Sequence, residues 1–248
     1  MLDEILKYKP IEVGELPEKL PFREKEILNP VQFLKTKPFI AEIKKASPSA
    51  GDINLDISPV KQAVLYEQHG AGVISVLTDK HFFKGSFDYL KEISEKVSIP
   101  VLCKDFIISE KQIDMAYAFG ADMILLIAAI LSEGQIRKLS EKAAEKGLYV
   151  LYEIHSIEEF DKIRDLSPKL VGVNSRNLNT FEINMKNACA VLGNIRGDFM
   201  KIAESGINGV DDVVNFRNFG ADGFLVGTYL MKSGDIGYSF RELYKGLG

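Results

Sequence analysis

Tryptophan is absent from this 248-residue chain, and cysteine and histidine are scarce, at two and three copies. Cys103 and Cys189 lie far apart and in no metal-like spacing, so neither a disulfide framework nor a zinc motif is expected, only reduced structural thiols. There is no excess of positive charge. Lys and Arg number 31 against 35 Asp and Glu, a net charge of -4, and the two signs are interleaved. That disfavours nucleic acid as a partner but leaves room for a local phosphate site. No apolar run approaches the roughly 18 residues of a membrane helix. The first residues, MLDEILKYKP, set acids among lysines with no apolar stretch, unlike a secretory signal. A soluble, cytoplasmic protein with no membrane partner is expected.

What is present is a repeated joint. EQHGAGVISVL (67–77), YAFGADMILLI (117–127) and RNFGADGFLVG (217–227) each run from a helix-like end through Gly-Ala-Gly or Gly-Ala-Asp into a β-rich apolar stretch. Glycine suits the position just past a helix, and an apolar run without polar alternation suits a buried parallel strand. Reading outward from these joints predicts eight strands near 39–45, 72–77, 99–104, 122–128, 148–154, 170–175, 200–204 and 222–227. Amphipathic helical stretches lie between them, such as 109–119 and 132–147, the latter with Ser132 as N-cap and Gly147 beyond its end. Eight such units predict an α/β fold of the (β/α)8 TIM-barrel type, with a doubly wound open sheet as the alternative. No linker divides the chain, so residues 1–248 are expected to form a single barrel domain. Residues 1–38 are read as an N-terminal extension of one or two helices, interrupted by Pro10, Pro17 and Pro21 and capping one end of the barrel.

The stretch FIAEIKKASPSAG (39–51) holds a puzzle. Alternation puts Ile40, Glu42 and Lys44 on one strand face and Phe39, Ala41 and Ile43 on the other. If the apolar face packs against helices, a carboxylate and an ammonium point into whatever the strand encloses, and unpaired buried charge is costly. Other predicted strands end in the same manner: Lys104-Asp105, Glu153 with His155, Asn174 with Arg176, Glu204-Ser205-Gly206, and Gly227-Thr228. Barrel closure would direct these ends to one rim, where barrel active sites lie, so the opening charges gain partners of both signs. Gly206, Gly227 and Thr228 follow the last two strands, where barrels often hold phosphate. His81 and His155 also lie near the rim and are read as structural or solvated.

From Ile40 to Met231 the chain closely resembles the indole-3-glycerol phosphate synthase family, through IAEIKKASPSAGDI, ISVLTDKHFFKGS, VLCKDFIISEKQID, ADMILLIAAIL, EIHS, VGVNSRNLNTFEI, IAESGI and FLVGTYLM. It has Thr228 where serine is common in the family, and Asn177 where aspartate often follows Asn-Ser-Arg. The resemblance implies closure of the indole pyrrole ring on a phosphorylated ribulose carrying a 2-carboxyphenylamino group, with loss of CO2 and water and with no metal or organic cofactor. It implies catalytic roles for Glu42, Lys44, Lys104, Glu153, Asn174 and Ser205, with Lys104 as general acid at the carbonyl oxygen and Glu153 serving the dehydration. Substrate contacts are implied for Ser47, Phe83, Phe106, Leu125, Arg176, Leu178, Glu204 and Leu225, and phosphate contacts for Lys44, Gly206, Gly227 and Thr228. Other tryptophan-pathway enzymes are possible partners. Two rivals stay open at this point: a Schiff-base aldolase using Lys104 or Lys44, and a non-catalytic barrel that binds phosphorylated metabolites.

Overall fold

A computed structural model describes residues 2–47, 51–52 and 57–248 of the chain. Eight parallel strands close into a barrel: β1 Phe39–Ile43, β2 Val73–Leu77, β3 Val101–Lys104, β4 Met123–Ile127, β5 Tyr149–Ile154, β6 Leu170–Asn174, β7 Met200–Glu204 and β8 Gly223–Val226. Each strand pairs with its sequence neighbours, and β8 returns to β1, with Phe39, Ile40 and Ala41 in register with Phe224, Leu225 and Val226. Closure rules out the open sheet. The structure places each predicted strand at its expected position, because the Gly-Ala joints mark the ends of helices that the strands follow.

The period-2 alternation separates two cores. Phe39, Ala41 and Ile43 of β1 belong to the outer core under the helices. The barrel interior is filled by Ile40, Val73, Leu102, Met123, Leu125, Ile127, Leu151, Leu170, Ile202 and Leu225. Continuing the same inward alternation along each strand reaches Glu42, Lys104, Glu153, Asn174 and Glu204. The interior is therefore apolar at the N-terminal end of the strands and charged at the C-terminal end, the side on which barrels of this type do chemistry.

The helices are capped as their sequences suggest. Helix Glu133–Glu145 starts with a capping box in which Ser132 accepts from the Gln135 amide and Gln135 answers the Ser132 amide. The same device, Ser109 with Gln112, starts helix Glu110–Ala118. No helix among the described residues is long and apolar enough to cross a membrane.

The N-terminal extension departs from expectation in two ways. Pro10 does not interrupt it but lies inside helix Leu2–Gly14. The extension also reaches both ends of the barrel rather than one. Lys9 of that helix bonds Asp79 and Asp105, which follow the C-terminal ends of β2 and β3. The chain then crosses to the opposite end, where Arg23 donates to the Ala121 carbonyl and to Asp122 just ahead of β4. Helix Pro30–Leu34 follows, and Leu34 packs among the first residues of the strands, closing the bottom of the interior.

Candidate active site

At the C-terminal end of the strands a cavity of about 610 Å³ opens. That is the size range of small-molecule sites. It is lined by every residue expected from the sequence except Ser47: Glu42, Lys44, Phe83, Lys104, Phe106, Leu125, Glu153, Asn174, Arg176, Leu178, Glu204, Ser205, Gly206, Leu225, Gly227 and Thr228. The backbone of Ser47 pairs with Gly51 in a two-residue ribbon, and its side chain lies outside the described residues.

The puzzle of the first strand resolves within this cup. Lys44 stands just past β1 with its Nζ 2.6 Å from Glu42 Oε1. Burial raises the proton affinity of the Glu42 carboxylate, but Lys44, then Lys104 and Arg176, outweigh it and hold the group below its ordinary range. Gly227 makes this pair possible: a Cβ there would run into Glu42 Oε1.

Across the cup, Lys104 Nζ lies 3.4 Å from Glu153 Oε2 and 3.8 Å from Glu204 Oε2. Burial works to discharge the ammonium, yet Glu153, Glu204 and Glu42 together raise its pKa and keep it charged. The two carboxylates share one cation and respond oppositely. Burial and the neighbouring Glu153 push Glu204 up to about 8, whereas Lys104, His155 and the Asn174 amide outweigh burial and hold Glu153 below its ordinary value. Two carboxyl groups with their proton affinities driven apart form an acid and a base side by side. Gly172 on β6 clears the space for Glu204, since a Cβ there would collide with Glu204 Oε1.

The remaining walls are built by loops. After β6 the chain doubles back, with Arg176 bridging Ile183 and the Asn184 amide donating to the Ser175 carbonyl. Asn174 Oδ1 accepts from the Arg176 amide, and the Arg176 guanidinium donates to the Phe181 carbonyl at 2.9 Å, so the cation is set at the rim. After β7, Ser205 and Gly206 both adopt positive φ, 66° and 78°. A non-glycine residue there stores strain of order 1 kcal/mol, a feature that gathers at functional sites. Ser175 Oγ donates to the Ser205 carbonyl and steadies the turn. After β8, Gly227 caps the short helix Thr228–Met231, whose first turn faces the cavity. Phe83 and Phe106, with ring centroids 6.1 Å apart, form an apolar wall with Leu125, Leu178 and Leu225.

The chain matches the family described as "Indole-3-glycerol phosphate synthase" over residues 7–243. Proteins of that name from Bacillus mycoides (strain KBAB4) and Bacillus cereus (strain B4264) are each 43% identical over 245 residues, covering 98% of this chain and 97% of the relative. The chain belongs to the indole-3-glycerol phosphate synthase family. Solved structures of more distant proteins share the fold alone. A 3-hexulose-6-phosphate synthase matches with a TM-score of 0.67 at 15% identity, over 84% of this chain and 99% of that one. A thiamine phosphate pyrophosphorylase from Pyrococcus furiosus matches with 0.63 at 16%, over 87% and 97%.

Several cavity residues were not singled out from sequence. Ile127 adds to the apolar wall, and Thr180, Phe181, Glu182 and Ile183 come with the folded-back loop. Gly172 carried a signal: a lone glycine inside a strand marks close approach of another group. Asp79 and Asp105 reach the cavity edge, but their oxygens are engaged by Lys9, by Thr78 and by backbone amides.

Proposed function

We propose that this chain converts 1-(2-carboxyphenylamino)-1-deoxyribulose 5-phosphate to indole-3-glycerol phosphate in tryptophan biosynthesis, with Lys104 as general acid and Glu153 as the base of the dehydration. The observation that carries the assignment of roles is Lys104 held charged and largely buried between Glu153 and Glu204, at the mouth of an apolar wall. The benzoate ring fits against Phe83, Phe106, Leu125, Leu178 and Leu225. The phosphate fits the turn at Gly206, the helix start at Gly227 and Thr228, and the Lys44 ammonium. Arg176 and Asn174 meet the carboxylate and hydroxyl groups, and Ser205 joins the same polar network.

In this arrangement the ring carbon bearing the carboxylate attacks the ketone while Lys104 gives a proton to the ketone oxygen. The C–CO2 bond then breaks and its electron pair restores the aromatic ring. The new hydroxyl leaves as water after protonation by a cation of the cup, and Glu153 takes the proton lost from the adjacent carbon. Lys44 is the second cation of the cup, and Glu42 holds it in place.

An imine mechanism is disfavoured on physical grounds. A nucleophilic lysine needs a lowered proton affinity, and the carboxylates around Lys104 raise it. The test is a fluorescence assay for indole product from the carboxyphenylamino substrate, with a parallel borohydride quench. Product formation without a covalent adduct on Lys104 or Lys44 is the expected result, and trapped enzyme with no indole would overturn the reading. We place the protein in the cytoplasm, where other tryptophan-pathway enzymes would be its neighbours.

A further inference from the structure

The reaction proposed above consumes a proton. Two protons go onto oxygen atoms, at the ketone and at the departing hydroxyl, and one is taken from carbon, while the substrate carboxylate leaves as neutral CO2. Each turnover therefore draws one proton from solvent into a cup whose base, Glu153, is 1% exposed, while its acid, Lys104, is 15% exposed. Glu153 can return the carbon-derived proton to Lys104 across 3.4 Å. The second has to come from outside.

One side chain joins Glu153 to the rim. His155 lies two residues beyond Glu153, on the same inward face by alternation and nearer the rim. Its Nε2 stands 3.7 Å from Glu153 Oε1. Among the described residues neither of these two buried atoms has a hydrogen-bond partner. Buried polar atoms without partners are uncommon and call for an explanation. The other ring nitrogen, Nδ1, is 3.2 Å from Glu159 Oε2, and the same oxygen accepts the His155 amide at 2.7 Å. Glu159 lies four residues on, in the first turn of the next helix Ile157–Asp161, with its own amide donating to the N-cap Ser156, so the imidazole is aimed from a fixed base. Side-chain exposure rises from 1% at Glu153 to 17% at His155 and 20% at Glu159, a graded path to solvent.

We propose that His155, aimed by Glu159, is the proton entry of the cup: a relay residue that acts through Glu153 and reloads Lys104 once per turnover. The imidazolium gives its Nε2 proton to Glu153 Oε1, and Glu153 passes a proton to the Lys104 amine. The neutral imidazole, which keeps its Nδ1 proton on Glu159, turns to bring the bare Nε2 to the rim and takes a proton there from water or a buffer acid. Glu153 and Glu159 on its own segment and Glu204 on β7 are the charged groups that face the ring. Burial lowers the proton affinity of His155, but the bond to Glu159 and the charges of Glu153, Glu159 and Glu204 raise it above the ordinary histidine value.

The proposal rests on the functional reading above, and the test separates the two. Turnover by the unaltered protein, His155→Ala, His155→Gln and Glu159→Gln is measured across pH, with and without added imidazole. We expect His155→Ala to lose roughly tenfold or more in kcat near neutral pH with little change in KM, and the deficit to narrow at alkaline pH, where the unaltered protein loses its imidazolium as well. Imidazole should restore several-fold of the loss in proportion to its protonated fraction. His155→Gln keeps a side chain that bonds Glu159 and should show the same slow, buffer-dependent turnover if His155→Ala proves unstable. Glu159→Gln should fall between. An active unaltered protein whose histidine variants keep kcat within twofold, or lose activity that no buffer acid restores, overturns the relay alone. An unaltered protein that makes no indole product overturns the functional reading and the relay with it.

Discussion

On one side of the β3 terminus Lys9 sits 2.5 Å from Asp79 and 2.9 Å from Asp105; on the other, Lys104 keeps 3.4 Å from Glu153 and 3.8 Å from Glu204. Lys104 and Asp105 are consecutive residues, both lysines are largely buried, and each is set between two carboxylates. The first cluster is closed. Asp105 also accepts from Thr78 and from its neighbour's amide, Asp79 caps the helix Lys80–Phe83, and Glu12 adds a further contact to Lys9. The second is open: Glu153 Oε1 and both oxygens of Glu204 have no hydrogen-bond partner among the described residues. The same ingredients serve two ends. A cluster with its hydrogen bonds complete docks the N-terminal helix, while one left incomplete keeps proton carriers ready for a substrate.

The comparison breaks most visibly at the open cluster. Lys104→Ala and Glu153→Gln are expected to reduce kcat by about 10²–10⁴ while lowering the thermal midpoint less than removal of Lys9, because a proton carrier is lost at contacts of 3.4–3.8 Å rather than at the shorter ones of Lys9. Steady-state kinetics beside a melting curve would check this, and a large drop in midpoint with near-normal turnover would reverse the assignment.

Lys9→Met should do the opposite. It leaves Asp79 and Asp105 buried against an apolar side chain, a loss of about 3–5 kcal/mol when one partner of a buried pair is removed. The cost is expected to appear as undocking of Leu2–Gly14, read as lost amide protection in hydrogen exchange, with activity reduced less than in the Lys104 variant.

The closed cluster also marks where the sequence stops being legible. The strands and the polar rim follow from local signals: period-2 alternation, Gly-Ala joints, charges at strand ends. Lys9 is 70 residues from Asp79 and 96 from Asp105, and nothing in MLDEILKYKP distinguishes it from its solvated neighbours. Pro10 misleads for a related reason. Proline disfavours a helix interior in isolation, but here the preceding residue is fixed by buried ion pairs, and tertiary contacts override the local preference. His155 lies between these cases. Its spacing to Glu159 is plain in EIHSIEEF, whereas the orphaned atom it turns toward Glu153 is visible only in three dimensions.

A subtler difference separates the two carboxylates of the open cluster. Glu204 is pushed from an ordinary 4.5 to about 8, so in the folded state it holds a proton that the unfolded chain releases above pH 4.5. Its contribution to stability is complete below about pH 4.5 and is lost as pH rises through 8, with a slope of at most about 1.4 kcal/mol per pH unit. Glu204→Gln keeps the neutral shape and removes that slope. Its stability relative to the unaltered protein should therefore grow from pH 5 to pH 8 in denaturant titrations, and a constant difference would mean that Glu204 is ionised throughout.

The smallest expected effect isolates burial from charge. Lys138 and Glu110 face each other at 3.2 Å, a shorter separation than that of Lys104 and Glu153, but both side chains are exposed. Water screens the pair, and ordering two long side chains offsets most of the attraction, so Lys138→Ala should cost no more than about 0.5 kcal/mol and leave kcat and KM unchanged. If this exposed pair proved as costly to remove as Lys9, distance alone would account for the closed cluster, and burial would have no part in its strength.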